Sequence, residues 1–118
     1  MTEEEKNNLV EDATFSFTIG ENDEAEKTLR KVLAADNDYF PAWHSLAEVL
    51  FSSRRFEEAR QAGLEALRLE PEDVHVFTSL SRIHMELGDK ETAEKYGAQA
   101  RMQGWKNELS EDPKQDED

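Results

Sequence analysis

Apolar side chains recur along the chain at spacings of three and four residues, the period expected of an α-helix with one buried face. Turn-forming stretches separate the apolar runs, and Pro71 stands where one run ends. The pattern predicts an all-α chain built from pairs of helices. The apolar positions of the first helices of each pair are Leu9, Ala13, Phe17; Trp43, Leu46, Ala47, Leu50; and Phe77, Leu80, Ser81, His84. Those of the second helices are Ala25, Leu29, Val32, Leu33; Ala59, Ala62, Ala66, Leu67; and Ala93, Tyr96, Ala100.

The helix pairs repeat with a period of 34 residues, which brings Ala25, Ala59 and Ala93 into register. A unit of two helices cannot bury its apolar face alone, so units of this kind stack and share one core. The period predicts three stacked hairpins over residues 6–39, 40–73 and 74–107, within a domain of residues 1–107.

The repeat resembles the tetratricopeptide repeat (TPR) family, and residues 40–73 carry the resemblance best. The matching positions are Trp43, Leu46, Ala47, Phe56, Ala59, Ala66, Leu67, Leu69 and Pro71. The last repeat departs from the family pattern, with His84 in a tyrosine position and Trp105 in the proline position. The resemblance implies a right-handed helical solenoid whose first helices line a concave groove.

Small residues are expected where the two helices of a hairpin cross. Ala47 facing Ala59, and Ser81 facing Ala93, would allow close approach, where a larger side chain costs about 1 to 3 kcal/mol. Gly63 and Gly97 interrupt second helices one repeat apart, at a cost of about 1 kcal/mol each relative to alanine. We expect these glycines to make room for bulky neighbours on the following helix. The expected pairs are Gly63 with Phe77 and Gly97 with Trp105.

Residues 108–118 differ from the repeats because they hold six acids against Lys114 as the single base. Such a segment buries too little apolar surface to offset the entropy of ordering, and Pro113 disfavours continued helix. We therefore expect a disordered acidic tail here, preceded by a short capping helix from Trp105 to Leu109. The tail is interpreted as solvated, with docking to a basic partner as the alternative.

The composition narrows the classes of partner and site. The chain has no cysteine and a formal net charge of −14, so its mean field repels phosphate backbones and anionic lipids. We expect no nucleic-acid partner, no membrane partner and no cysteine-ligated metal. The acidic start, Met1 to Glu5, lacks the basic and apolar regions of a secretory signal, which favours a cytoplasmic location.

The family resemblance implies which side chains point into the groove. Phe17, Phe51 and Met85 are large apolar side chains at nominally exposed positions, which favours binding, with core packing or a dimer contact as the alternative. Arg82 and Glu48 either orient a charged end of a ligand or pair with each other. Of the side chains implied, those expected to bind the partner are Val10, Thr14, Phe17, His44, Glu48, Phe51, His75, Thr78, Arg82 and Met85.

One TPR subgroup holds the acidic tail of heat-shock chaperones with a carboxylate clamp of lysine, asparagine and arginine. The corresponding positions here carry no cation: they are Val10, Thr14, Ser45, His75 and Ser79. Without cations a terminal carboxylate lacks charge-assisted hydrogen bonds, so we expect no chaperone-tail partner of this type. The negative field favours a basic or apolar protein segment instead.

Three hypotheses follow for function. The first is a non-enzymatic interaction module without a cofactor, since the sequence contains no phosphate loop, nucleophile elbow or zinc-protease motif. The second is a self-assembling scaffold, with a homodimer as its simplest form, because a short array leaves apolar end faces. The third is a divalent metal site of His44, Glu48 and His75, two imidazoles and one carboxylate on neighbouring helices.

Overall fold

A computed structural model describes the backbone of residues 1–115 and the side chains of residues 1–110. This part of the chain is built of α-helices and turns, which confirms the predicted all-α class. The helices are α1 (Glu3–Thr18), α2 (Asn22–Ala35), α3 (Phe40–Ser52), α4 (Phe56–Leu69), α5 (Val74–Glu86) and α6 (Lys90–Gln115). Among the described residues, no helix combines the length and the apolar character needed to cross a bilayer.

The helices pair in chain order. α1 packs on α2, α3 on α4 and α5 on α6, and the hairpins stack through α2 against α3 and α4 against α5. The core consists of two clusters of buried side chains, and Trp43 packs against both. The largest fully buried side chains of the core include Leu29, Leu46, Leu50, Leu80 and Ile83. This arrangement agrees with the predicted stack of hairpins that share one core.

The stack curves toward its first helices. α1 contacts α3, and α3 contacts α5, whereas α2, α4 and α6 do not contact one another within the described residues. Helices that meet across a repeat lie on the inner side of a bend, and helices that separate lie on its outer side. α1, α3 and α5 therefore form the concave face.

Two residues after the end of each first helix lies a residue with left-handed backbone conformation. Gly20, Arg54 and Gly88 have φ of 86°, 62° and 81°, and they lie one repeat apart. In each case the next amide N–H donates to a carbonyl five residues back, as from Arg55 to Leu50 at 2.9 Å, which satisfies the open end of the helix. The repeat thus preserves a backbone conformation even where the residue type changes.

Small residues are buried in the second and third hairpins, and in the third hairpin Ser81 meets Ala93 as predicted. Ala47, Ala59 and Ala93 are buried, and the Ser81 hydroxyl donates to the Ala93 carbonyl at 2.8 Å. This hydrogen bond lets a polar side chain occupy the crossing without leaving a buried donor unpaired.

The predicted partners of the two glycines are wrong. A Cβ at Gly63 would lie 2.8 Å from Leu80 Cδ2, so Leu80 and not Phe77 fills the space. A Cβ at Gly97 would lie 3.4 Å from Ser81 Oγ, and Trp105 is 69% exposed. The prediction selected neighbours by size, whereas the crossing brings the central residues of α4 and α5 together.

The final helix is longer than the sequence pattern predicts. α6 has 26 residues against 14 in α4, so Trp105 to Leu109 belong to α6, and residues 108–115 continue it where a disordered tail is predicted. Trp105 stands in the position that Pro71 occupies one repeat earlier, so no proline ends the helix there. Residues 116–118 of the predicted tail lie outside the described residues.

Candidate functional site

The predicted groove residues all lie on the first helices, three on α1, three on α3 and four on α5. On each helix they recur at spacings of three and four residues, which places them on one face. Five of them are exposed, namely Thr14, His75, Thr78, Arg82 and Met85. The other five are half-buried, namely Val10, Phe17, His44, Glu48 and Phe51.

The apolar members of the groove differ in role. Val10, Phe17 and Phe51 pack against the core, so each also supports the fold. Met85 lies on α5 and its side chain is 51% exposed. The groove therefore has an apolar floor that continues into the core and one free apolar side chain near its end.

A cavity of about 190 Å³ opens between α1 and α3. Its lining combines an apolar base with polar side chains, and it includes four of the predicted groove residues. The lining residues are Ala13, Thr14, Phe17, Leu29, His44, Ser45, Glu48 and Val49. Leu29 comes from α2, so the cavity reaches down to the helix that closes the first hairpin.

Glu48 and Arg82 connect α3 to α5 beside this cavity. Arg82 Nη1 lies 3.5 Å from Glu48 Oε1, and the Arg82 guanidinium lies 4.6 Å from the centre of the Phe51 ring. The Ser79 hydroxyl donates to the other carboxylate oxygen of Glu48. The sequence left two interpretations of Glu48 and Arg82: they orient a charged end of a ligand, or they pair with each other. In the structure the two side chains lie close enough to pair.

His44 lies among aromatic rings. Its ring stacks on Phe40 with the centres 5.8 Å apart, and the His75 ring is 6.5 Å away. The Nε2 atom of His44 is buried and has no hydrogen-bond partner among the described residues. Packing of the imidazole between rings thus dominates its surroundings.

The hypothesis of a metal site at His44, Glu48 and His75 is not supported by this geometry. Glu48 is engaged by Ser79 and Arg82, whose positive charge competes with a cation. Within the described residues, no group of three or more histidine, cysteine, aspartate or glutamate side chains is placed to hold a metal ion. The sequence suggested the site because helical spacing places His44 and Glu48 on one face of α3. Spacing does not determine the side-chain rotamers, and these decide which groups a side chain contacts.

A larger depression, of about 600 Å³, lies on the outer side of the stack. It is bordered by Arg30, Glu58 and Glu65, and it occupies the gap that the bend opens between α2 and α4. Charged rims and an open shape are typical of the space between separated helices, so the concave cavity is the better candidate site.

The sequence analysis named Ser45 only as a clamp position and did not name Val49, and both are cavity residues. They are one helical turn apart on α3, and both line the cavity opposite Thr14. The sequence shows their spacing of four residues. The residue types did not mark a cavity, because valine is typical of a core position and serine of a polar one.

Comparison with known proteins agrees with this architecture. The family model for the tetratricopeptide repeat matches residues 19–62, which run from the end of α1 into α4. The resemblance to TPR proteins is confirmed. No curated protein sequence matches the chain.

Solved TPR structures share the fold at low sequence identity. The second TPR of Spaghetti (RPAP3), solved with the HSP90 peptide SRMEEVD, has a TM-score of 0.79 and 16% identity over 82% of this chain and 90% of its own. MamA has a TM-score of 0.81 and 20% identity over 86% of this chain, which spans 60% of the MamA chain. The Yersinia enterocolitica type III secretion translocator chaperone SycD, solved as an alternative dimer, has a TM-score of 0.82 and 13% identity, covering 86% and 77%.

Proposed function

We propose that this protein is an interaction module that binds an extended or helical segment of a partner protein along the face formed by α1, α3 and α5. The observation that carries the proposal is the concave cavity of about 190 Å³. Thr14 and Phe17 reach it from α1, and His44 and Glu48 reach it from α3. Residues distant in sequence thus converge on one recess of the concave face.

The cavity suits one apolar side chain of the partner. Phe17, Leu29 and Val49 supply apolar walls, while Thr14 and Ser45 supply hydroxyl groups. A recess of this kind favours an aliphatic or aromatic anchor, with backbone groups of the partner near the hydroxyls. Basic residues beside the anchor are favoured by the net charge of −14.

The α5 side of the groove supplies the second contact. Arg82 covers one face of the Phe51 ring but is an exposed residue, so its guanidinium is accessible to a partner. Met85 lies one helical turn from Arg82 and is exposed. We expect Met85 to contact an apolar residue of the partner and Arg82 to donate hydrogen bonds to partner carbonyl groups.

The proposed role requires neither a catalytic group nor a cofactor. It is a non-enzymatic function. The third hypothesis, a metal site at His44, Glu48 and His75, is not supported by the geometry of these residues. The cytoplasmic location stays a prediction from the sequence.

The proposal is tested with a variant whose larger side chain fills the cavity. Peptides are selected on the native protein by display, and their affinities are measured by calorimetry against Thr14→Phe and Thr18→Phe. Both threonines are exposed on α1, and each hydroxyl donates to the carbonyl four residues earlier, but only Thr14 lines the cavity. We expect Thr14→Phe to weaken binding about tenfold or more, and Thr18→Phe to leave it unchanged.

A double variant tests the part of the groove between Phe51 on α3 and Met85 on α5. Phe51→Ala combined with Met85→Ala is expected to weaken the selected peptides further. Peptides that bind both the filled cavity and this double variant with native affinity would show that the partner binds elsewhere. Failure to select any peptide with an apolar anchor would overturn the proposal.

A further inference from the structure

Large apolar side chains are exposed at both ends of the helical stack, away from the groove. On α6, Met102, Trp105 and Leu109 are 61%, 69% and 68% exposed. On α1, Phe15 and Ile19 at its end are 64% and 52% exposed. Neither set contributes to the groove proposed above.

The exposed residues of α6 form a stripe that the fold does not use. Met102, Trp105 and Leu109 are separated by three and four residues, so they lie on one side of the helix. Ala93 is buried and Tyr96 stacks on Phe77 of α5, and both lie on the opposite side of α6. Packing of α6 on α5 therefore leaves the stripe uncovered.

The outer face of α1 has the same character. Phe15 and Ile19 lie one turn apart, opposite Ala13 and Lys6, which are buried against the rest of the stack. Two exposed apolar faces on end helices are unusual in a repeat array, whose ends normally carry polar outer surfaces. Each exposed apolar face therefore favours contact with a partner helix.

The charges around the two faces have opposite sign. The exposed acids Glu4, Glu11 and Asp12 lie on the outward side of α1, and the only base of that helix, Lys6, is buried. Beside the α6 stripe, among residues 101–110, the exposed bases Arg101 and Lys106 outnumber the one exposed acid, Glu108. Two α1 faces would repel each other, whereas an α1 face and an α6 face attract.

We propose that α6 of one copy packs on α1 of a second copy, in a head-to-tail assembly. Trp105 and its neighbours would then cover Phe15 and Ile19, with Arg101 and Lys106 opposite the acids of α1. α1 does not contact α6 within the described residues of one chain, so the pairing requires another molecule. A heterologous contact of this kind leaves a free face at each end, and it produces a ring or an open filament. This inference goes beyond the proposed groove function and does not depend on it.

The test is sedimentation equilibrium with two complementary variants. Trp105→Glu blocks the α6 face, and Phe15→Glu blocks the α1 face, because each places a carboxylate in an apolar contact. Both residues are exposed, so neither change disturbs the core. Leu87→Glu, at an exposed position outside both faces, is the matched control.

A head-to-tail contact has a distinctive signature in mixing. The native chain and Leu87→Glu are expected to grow in mean mass beyond a dimer as concentration rises. Each blocked variant alone stays a monomer, and an equimolar mixture of the two forms a one-to-one dimer, because one retains α1 and the other retains α6. Raising the salt concentration weakens that dimer, since part of the attraction is electrostatic.

Two outcomes overturn the proposal. If Phe15→Glu still dimerises while Trp105→Glu does not, the α6 stripe pairs with itself. If the native chain stays a monomer up to about 1 mM, the two faces do not bind each other with meaningful affinity.

Discussion

Arg54 and Gly88, in the turns after α3 and α5, have the same left-handed backbone conformation, with φ of 62° and 81°, at equivalent positions of successive repeats. Glycine adopts this conformation without steric cost, whereas a residue with a Cβ does not. The arginine compensates in part, since its guanidinium lies 5.2 Å from the centre of the Phe56 ring. The middle repeat thus retains the turn geometry of its neighbours at an energetic cost that they avoid.

Arg54→Gly is therefore expected to stabilise the protein. Relief of the left-handed conformation, at about 1 to 2 kcal/mol, exceeds the added freedom of glycine in the unfolded chain and the lost ring contact. We expect the free energy of unfolding to rise by about 0.5 kcal/mol in urea denaturation. Ser53→Gly is the control, because Ser53 has an ordinary φ of −84° and its substitution should destabilise. A less stable Arg54→Gly variant would contradict this account.

Gly63→Ala is expected to destabilise the protein. Leu80 is fully buried and its Cδ2 would lie 2.8 Å from the new methyl group, so overpacking outweighs the helix propensity gained. We expect a net loss of about 1 kcal/mol. Gly97→Ala meets only Ser81 Oγ at 3.4 Å and the end of Arg101, so it should be neutral or stabilising by up to about 1 kcal/mol. Thermal melts of the two variants give the comparison, and equal melting temperatures would rule the explanation out.

Glu26 makes stability depend on pH. Hydrogen bonds from Arg55, at 2.6 Å, and then from Arg30 hold the pKa of Glu26 below its ordinary value of 4.5. A lowered folded-state pKa contributes stability that is complete above pH 4.5 and is lost as the pH falls through the folded-state value. The difference in unfolding free energy between the native protein and Glu26→Gln should therefore shrink from pH 7 towards pH 3.

Glu58→Gln is the control for that measurement. Glu58 pairs with the same Arg55, whose hydrogen bond also lowers the pKa of Glu58, but its side chain is 48% exposed against 16% for Glu26. Water screens the exposed pair, so its effect should be smaller at every pH. A Glu26→Gln difference that is the same at low and neutral pH would disprove the linkage.

The peptide SRMEEVD, seen in the RPAP3 structure, is expected not to bind this protein. The positions that correspond to the clamp residues carry no cation, and Ser79 at one of them is buried and donates to Glu48. An acidic peptide also meets the repulsive field of a chain with net charge −14. Fluorescence anisotropy with the labelled peptide should show no saturation up to about 1 mM, with the RPAP3 domain as positive control. Saturable binding at lower concentration would show that other groove residues replace the clamp.

The sequence alone was sufficient to predict the repeat and its helical hairpins. The spacings of three and four residues are local properties of a helix, and the period of 34 residues is a property of the repeat. Both can therefore be recognised in the sequence without the tertiary structure. They predicted the helices and the buried small residues of the hairpins, whereas the ten groove positions came from the resemblance to TPR proteins; all ten lie on first helices. The spacings and the period did not predict the length of α6, which continues past Trp105, the position that corresponds to Pro71 one repeat earlier.

Contacts between helices were decided only in the tertiary structure. The burial of Lys6 against Asp36 at 2.6 Å, the choice of Leu80 as the neighbour of Gly63, and the turn of Glu48 towards Ser79 join residues that are far apart in sequence. Spacing tells which side of a helix a residue occupies, but the crossing of two helices and the side-chain rotamers determine what it touches. For this reason the sequence determined the helical hairpins, whereas the packing of one hairpin on the next created the cavity and left the two end faces uncovered.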